Sequence, residues 1–205
     1  MSDTQTVTTW YLEQTSPADL VPAREPESAR GAADGGDGGA AGDGVRIVRA
    51  GVPSPEFSRF LYASVGADIT WTDRLPWTYA RWTAYLERPL VETWVAYENG
   101  TPAGFIELNG ADSAQGDTEI AYFGLLPAFR GRRIGGHLLS YGVARAWDIA
   151  ERWEGAAPAK RVWVHTCSKD GEHALANYRR RGFRVYRTET EQEPIVPTPG
   201  PWPGA

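Results

Sequence analysis

The stretch FRGRRIGGHLL, residues 129–139, joins a basic, glycine-containing turn to an apolar segment with helical spacing. It contains Arg130, Arg132 and Arg133, the glycines Gly131, Gly135 and Gly136, and no acidic residue. A turn that opens a helix is a general anion site, because the first N–H groups of a helix lack partners and carry partial positive charge. Glycines let a ligand approach the backbone, and arginines bind phosphate through paired donors. The stretch therefore predicts a phosphate-type ligand, with a solvated basic turn as the alternative.

Two familiar nucleotide-binding motifs are excluded at this turn. It lacks the Gly-Lys-Ser/Thr of a P-loop and the G-x-G-x-x-G spacing of a dinucleotide fold. It also follows the fourth predicted strand of the domain rather than the first. Neither a P-loop nor a dinucleotide-binding domain is therefore indicated.

The elements on either side of the turn predict a mixed α/β fold. Residues 118–127 form a near-continuous apolar run, which predicts a strand buried on both faces, and residues 135–153 carry apolar side chains at helical spacing. Upstream, residues 45–50 alternate like a strand, and Asn99-Gly100 joins two strand-like runs as a hairpin. The predicted order is β-α-α-β-β-β-α-β-α-β. Its strand-helix-strand crossover implies one parallel pair, so we expect a mixed, mostly antiparallel central sheet with helices on both faces.

The helix boundaries are predicted from their capping residues. Ser54 and Pro55 favour the N-cap and first position of a helix whose inward face would hold Phe57, Phe60, Leu61 and Ser64. A second helix is predicted over residues 75–89, which Pro89 would end. A late, short helix would be closed by Gly182 as its C-terminal cap.

The chain divides into four segments by composition. Residues 31–44 contain only Gly, Ala and Asp, which is typical of a flexible linker because such residues cannot bury apolar surface. We therefore expect an N-terminal segment over 1–23, a linker over 24–44, the folded domain over 45–191 and an extended proline-rich tail over 192–205. Thr9 to Leu12 could form a strand that docks on the domain, or belong to a disordered tail.

Composition excludes several classes of protein. The net charge of −5 disfavours a general nucleic-acid or membrane role, and the basic run at 179–181 is then a solvated helical face. A single cysteine, Cys167, forms no disulfide within the chain, which favours a reducing, cytoplasmic compartment. No basic, apolar leader and no 18-residue apolar run is present. The three histidines and one cysteine lack metal-ligand spacing, so no metal is expected.

Two motifs resemble the GCN5-related N-acetyltransferase (GNAT) family. RGRRIG begins at Arg130 and ends at Gly135, like that family's pyrophosphate loop of Arg/Gln-x-x-Gly-x-Gly/Ala, although Arg133 stands where the family usually has glycine. NYRRRGF places Tyr178 shortly before Gly182 and Phe183, like the family's late tyrosine. The resemblance covers about residues 45–187, with a helix and a strand in the expected order between the motifs.

The resemblance implies acetyl-CoA as acyl donor in a cleft between the fourth and fifth strands of the domain. Residues implied at this donor are Phe123, Gly124, Leu125, Arg130, Gly131, Arg132, Arg133, Ile134, Gly135 and Gly136. Arg179 or Arg180 of the basic run could also contact its nucleotide end. The implied function is acetyl transfer to a primary amine of a small molecule or peptide, by direct attack in a ternary complex. The alternative is a non-catalytic acyl-CoA-binding sensor. An exposed aromatic surface or the N-terminal strand could support a homodimer.

Catalysis requires an acid and a base. Tyr178 is the candidate acid, because its ordinary pKa of about 10 keeps it protonated beside a thiolate; a core tyrosine is the alternative. Glu119 is the candidate base, acting directly or through water, because burial in an apolar strand would raise its pKa. An edge-facing or salt-bridged glutamate is the alternative, and Glu107 on the hairpin is a reserve base.

The acceptor side is predicted from aromatic and polar residues near the cleft. Trp71 and Trp77 flank Asp73 and Arg74, a mixture that could bind an amine through acid and aromatic faces, or simply pack in the core. His165 could orient substrate or relay a proton. Cys167 as an acyl-accepting nucleophile is disfavoured, since no base near it is evident.

Overall fold

The computed structural model describes residues 3–26, 44–111 and 116–197. Within these ranges the strands are β1 Thr4–Gln14, β2 Val45–Arg49, β3 Val91–Glu98, β4 Thr101–Asn109, β5 Asp117–Leu125, β6 Arg161–Cys167 and β7 Arg184–Pro194. The α-helices are α1 Pro55–Gly66, α2 Tyr79–Leu86, α3 Ile134–Trp147 and α4 Ala174–Arg180. Short 3-10 turns lie at Pro17–Asp19, Pro127–Phe129 and Ile149–Arg152. Most of the predicted linker and the end of the predicted tail lie outside the described residues.

One sheet of seven strands, in the order β2-β3-β4-β5-β6-β1-β7, organises the described part of the chain. Every neighbouring pair is antiparallel except β5 and β6, which are parallel and connected through α3. After β1, the elements follow the predicted order. The fold class is therefore confirmed as a mixed, mostly antiparallel sheet.

β1 lies inside the sheet, between β6 and β7. It pairs with β6 from Thr9 to Gln14 and with β7 along most of its length. Leu12 and Gln14 are completely buried, and the Gln14 amide is satisfied because it donates to the Arg181 carbonyl at 2.7 Å and accepts from the Trp147 indole at 3.1 Å. The strand is longer than the Thr9–Leu12 segment indicated by the sequence, and it integrates the N-terminal segment into the core.

The two faces of the sheet carry different helices. On one face α3 packs on a large core that includes Ile106 and Leu108. On the other, α1 packs on Val95 and Phe105. Because successive strand residues point to opposite faces, neighbouring positions in β4 serve both layers. Helices therefore cover both faces of the sheet, as predicted.

α1 begins as predicted, but its buried face matches the predicted inward face only in part. The Ser54 hydroxyl accepts from the Phe57 N–H at 3.3 Å, which confirms the predicted N-cap. Phe60, predicted to point inward, is 48% exposed. Leu61 is buried as predicted, and Phe57 packs against the core. Tyr62 and Val65 are buried as well, because the Tyr62 ring belongs to an aromatic cluster and its hydroxyl accepts from the Arg74 N–H at 3.2 Å.

α2 and α3 are shorter than the apolar spacing predicts. α2 begins after Thr78, whose hydroxyl accepts from the Arg81 N–H at 3.2 Å. α3 ends at Trp147, because the Arg152 guanidinium donates to the carbonyls of Arg145 and Asp148 at the helix end. The buried Glu92 carboxylate holds Arg152 in place through a contact of 2.8 Å.

The predicted hairpin and the predicted helix stop are both present. Asn99 and Gly100 have φ values of 49° and 80°, the conformation of a tight two-residue hairpin turn. Gly182, with φ of 91°, follows the C-terminal end of α4. A Cβ at Gly182 would meet the Asp19 carbonyl oxygen at 1.8 Å, so glycine is also required there by close packing. No helix in the described ranges has the length and apolar character to cross a membrane.

Candidate functional site

A cleft opens where β5 and β6 separate. The two strands pair only at Asp117, Thr118 and Glu119 of β5, and beyond these positions a cavity of about 750 Å³ lies between them. A register shift in the β4–β5 ladder leaves Ala121 as an extra residue at the start of the cleft. Bulges of this kind bend a strand and end its pairing. The β6-facing backbone of β5 beyond the bulge is therefore available to a ligand.

β5 is accordingly only partly buried, not buried on both faces as its composition predicts. Gly124 does line the cavity. Its lack of a side chain, however, makes room for α1, since a Cβ at Gly124 would lie 2.5 Å from Val65 Cγ1. Close packing between helix and sheet, rather than ligand approach to this Cα, requires glycine at this position.

The N-terminus of α3 closes one end of the cavity. Arg133 is its N-cap, with φ of 65° and ψ of −1°, and its side chain makes no capping hydrogen bond. This left-handed conformation is the one that glycine favours, so the Arg133 backbone takes the geometry that a glycine would provide. The first N–H groups of α3 are thereby left for an anion, and Gly135 and Gly136 line the cavity beside them.

The three arginines of this turn have different surroundings. Arg130 binds Asp68 through two contacts of 2.5 and 2.9 Å and donates from Nε to the Leu125 carbonyl. Arg132 contacts Glu98 at 2.6 Å and lies outside the cavity lining. Arg133 lines the cavity and, within the residues that the structure describes, has no ion-pair partner. Of the three side chains, Arg133 is the one that can reach a bound phosphate without losing an ion pair.

The other predicted donor residues are mostly brought together. Those that line the cavity are Phe123, Gly124, Leu125, Arg130, Gly131, Arg133, Gly135 and Gly136. Ile134 instead points into the core and is 1% exposed. Arg180, which the sequence places on a solvated face or at the nucleotide end of the donor, also lines the cavity. It adds a second cation near the N-terminus of α3.

Tyr178 lies on α4 and is 6% exposed, and it lines the cavity. Its ring contacts those of Phe123 and Phe183, with centroids 6.1 and 6.0 Å away. Phe123 in turn approaches Gly135, so a single ring separates Tyr178 from the α3 N-terminus. Burial, together with the negative charge of Asp170, raises the Tyr178 pKa above its ordinary value. The hydroxyl is therefore protonated throughout the physiological pH range.

Glu119 and His165 form a pair beside the cavity. The His165 Nδ1 lies 3.6 Å from Glu119 Oε1, and only the histidine lines the cavity. The Glu119 carboxylate raises the pKa of His165 most strongly, against the opposing effect of burial, and Asp170 and Asp73 add to the increase. The carboxylate can therefore hold the imidazole and stabilise its protonated form, and the imidazole is the group that a substrate can touch.

The predicted acceptor residues are divided between the cavity and the core. Trp71 and Asp73 line the cavity. Trp77 does not; its ring lies 4.7 Å from the Arg74 guanidinium and 4.4 Å from that of Arg81. Glu107, the reserve base, is 2% exposed and bound to Arg74 at 2.9 Å. Its oxygens are occupied by Arg74 and Tyr85, and it does not line the cavity, so it is not placed to contact a substrate.

Two further residues, Tyr122 and Asp170, line the cavity, and the sequence did not predict them at the site. Tyr122 lies in an apolar strand, where an aromatic residue gives no functional signal. Asp170 binds the Thr166 hydroxyl at 2.6 Å and the Cys167 N–H at 2.9 Å, a local arrangement that composition does not reveal. Across residues 3–26, 44–111 and 116–197, no group of three or more His, Cys, Asp or Glu side chains could hold a metal ion.

Comparisons with known proteins agree with this architecture. A model of the acetyltransferase (GNAT) family matches residues 59–183. The fold is similar to a GCN5-related N-acetyltransferase from Kribbella flavida, with a TM-score of 0.59 and 18% identity, covering 92% of this chain and 58% of that one. A GCN5-related N-acetyltransferase from Sphaerobacter thermophilus gives a TM-score of 0.57 and 20% identity, covering 94% and 53%.

The two solved structures are much longer than this protein, which spans between about half and three-fifths of their length. At such identities the likeness shows the fold alone. No curated protein matches the sequence.

Arg133→Gly is expected to stabilise the protein. Relief of the left-handed conformation yields about 1–2 kcal/mol, which exceeds the roughly 0.4–1 kcal/mol by which the freedom of glycine stabilises the unfolded chain. Urea denaturation should therefore give a higher free energy of unfolding. Arg133→Ala is the matched control, because it removes the same side chain and keeps the Cβ. An equal increase in the free energy of unfolding of both variants would show that the left-handed backbone at Arg133 is not the cause.

Proposed function

Because the chain belongs to the acetyltransferase (GNAT) family, we propose that it transfers an acetyl group from acetyl-CoA to a primary amine of a small molecule or peptide. The observation that carries the proposal is one continuous cavity, which reaches from Gly135 at the α3 N-terminus to His165 and Tyr178 between the parted strands. Donor and acceptor can meet in this space. Direct attack in a ternary complex then needs no acyl-enzyme nucleophile.

The charged end of coenzyme A fits the α3 end of the cavity. The uncapped helix N-terminus supplies backbone donors, and Arg133 and Arg180 supply positive charge. The open side of β5 from Ala121 to Leu125 can pair with the amides of an extended arm, in the manner of an added strand. When bound, acetyl-CoA supplies a thioester carbonyl for attack and a thiolate as leaving group.

The base in this proposal is the His165–Glu119 pair. The acceptor amine, with an ordinary pKa of about 10.4 in a lysine-like group, must lose a proton to attack. His165 lies at the cavity surface and can take that proton, while Glu119 orients the imidazole and stabilises the charge that it gains. Glu119 then acts through His165 rather than by direct contact with the amine.

The acid in this proposal is Tyr178. When a new carbon–nitrogen bond replaces the carbon–sulfur bond of the donor, the Tyr178 hydroxyl would give its proton to the departing thiolate. The raised pKa keeps this hydroxyl protonated before the step but makes transfer of its proton to a thiolate less favourable, so the step requires the hydroxyl to lie next to the sulfur. The acceptor would approach from the opposite side, past Trp71 and Asp73.

The first expected result is release of free thiol from acetyl-CoA in the presence of a suitable amine. A panel of primary amines and lysine-containing peptides, followed by thiol release and by mass spectrometry of the product, measures this directly. Arg133→Glu should weaken binding of acetyl-CoA, because it places a negative charge beside the phosphates. Tight binding of acetyl-CoA without turnover on any amine would favour the alternative function, a sensor of acyl-CoA.

Tyr178→Phe should lower kcat by about 100-fold, the typical contribution of a positioned acid. The dissociation constant of acetyl-CoA, measured by calorimetry, should stay nearly unchanged because the ring remains. Tyr141→Phe is a suitable control, since Tyr141 packs on Trp94 away from the cavity. An unchanged kcat in Tyr178→Phe would exclude this hydroxyl as the acid.

The rate should depend on the protonation of His165. In the wild type, kcat/KM should rise as the pH increases through the raised pKa of His165, because only the neutral imidazole accepts a proton. Glu119→Gln removes the main cause of that increase, so the acidic limb of the profile should move to lower pH, toward about 6.5. Glu151→Gln is the control, because Glu151 is exposed; this substitution should leave the pH profile of kcat/KM unchanged.

Two other outcomes would count against this assignment. An unchanged acidic limb in Glu119→Gln would separate Glu119 from the titrating group. Loss of activity at every pH would identify Glu119 itself as the base.

A further inference from the structure

Arg74 lies in the loop between α1 and α2 and points into the protein. It is 6% exposed, and its Nη1 contacts both oxygens of Glu107, at 2.9 and 3.2 Å. Its guanidinium lies within about 6 Å of several aromatic rings, a distance typical of cation–π contact. These rings and the carboxylate, here called the Arg74 cage, are Trp77, Trp82, Tyr85, Tyr122 and Glu107.

Hydrogen bonds inside the Arg74 cage satisfy the Glu107 carboxylate. The Tyr85 hydroxyl donates a hydrogen bond of 2.6 Å to Glu107 Oε1. The carboxylate is therefore bound by both a guanidinium and a phenol. The Arg74 N–H donates to the Tyr62 hydroxyl on α1 at 3.2 Å. Side chain and backbone of one residue therefore attach the loop to β4, α2 and α1.

This attachment reaches the cavity by two routes. The residue before Arg74 is Asp73, which is exposed and lines the cavity. The guanidinium also lies 4.4 Å from the centroid of the Tyr122 ring, and that ring packs edge-on against Trp71, with centroids 4.9 Å apart. Trp71 and Tyr122 line the cavity as well. The arginine thus supports three residues of the acceptor wall without touching the cavity itself.

We propose that Arg74 is a positioning residue for the acceptor: it holds the α1–α2 loop so that Trp71, Asp73 and Tyr122 form one wall of the acceptor site. The proposal rests on the acetyltransferase function proposed above. It also gives Glu107 a role, as the buried counter-ion of Arg74 rather than a base. The donor end of the cavity lies on other elements, the β5–α3 turn and α4. Its contact with the α1–α2 loop is the Arg130–Asp68 ion pair near the end of α1, which Arg74 does not join and which Arg74→Ala leaves in place.

A matched control exists on the other face of the sheet. Arg152 is likewise held by a buried carboxylate, Glu92, and lies 5.4 Å from the centroid of a Trp94 ring. It does not line the cavity. Arg152→Ala should therefore lower the melting temperature without changing recognition of the acceptor.

The experiment compares the wild type, Arg74→Ala, Arg74→Lys and Arg152→Ala in steady-state kinetics with an accepted amine. Arg74→Ala should raise KM for the amine about tenfold or more, equivalent to about 1.4 kcal/mol, and change KM for acetyl-CoA by less than about twofold. The amine KM of Arg74→Lys should lie between those of the wild type and Arg74→Ala, because lysine keeps the charge and loses the planar contacts with the rings. An amine KM equal to that of the wild type, together with a lowered melting temperature, would overturn the proposal.

Chemical rescue separates positioning from general stability. Guanidinium chloride at about 20 mM should restore the amine KM of Arg74→Ala in part, because the ion matches the missing group in charge and shape. The same concentration of sodium chloride should not. Arg152→Ala should show no such response. Equal responses to both salts would contradict the proposed role of the cage.

Hydrogen exchange needs no catalytic activity, so it tests the role of Arg74 separately from the proposed function. If the wild type acetylates no amine, the proposed function fails, and hydrogen exchange of residues 68–78 decides the role of Arg74. Exchange there should be faster in Arg74→Ala, slow again with guanidinium, and stay unchanged in Arg152→Ala. Wild-type exchange in Arg74→Ala would show that the loop is held without Arg74.

Discussion

The separation of β5 from β6 is the constraint on which the site depends. Two parallel neighbours in the middle of a sheet would normally pair along their full length, yet these pair for three residues and then diverge. The bulge at Ala121 ends the pairing on one side while the β4 ladder continues on the other. Backbone groups that a sheet would satisfy internally are left facing a cavity. A bound ligand with amide groups can replace the missing ladder, so the interruption itself creates the binding surface.

Positive and negative charges lie at different ends of this opening. Arg130, Arg132 and Arg74 are bound by carboxylates of the protein, and they fix loops rather than ligands. What remains for an anion is the helix N-terminus with Arg133 and Arg180. Acidic groups act on His165 at the other end. In the proposed function, the cavity would offer an electropositive end for the anionic donor and a proton-accepting end for the cationic acceptor within one volume.

The sequence was sufficient for the fold and for the position of the turn that precedes α3, because both depend on local patterns. Alternating apolar residues, Asn99-Gly100, Ser54 and Gly182 each act over a few residues, and the two motifs led to the family that the comparisons show. The predicted inward face of α1 and the extent of α3 were wrong in part, since Tyr62 and Arg152 are fixed by partners distant in the chain. Likewise, nothing near Glu107 in the sequence reveals its pairing with Arg74, which lies 33 residues away.

The position of β1 also has a consequence for how the molecule is made. Its neighbours, β6 and β7, come from the last part of the described chain, and Thr4 pairs with Pro194. β1 precedes the other described strands in the chain, and it has no place in the sheet until almost all of the domain has been synthesised. Contacts of such sequence separation slow folding, since much chain must be ordered before they form. Until β6 and β7 are made, β1 with its apolar residues Val7 and Leu12 is unpaired, and an unpaired strand of this kind exposes the nascent chain to aggregation.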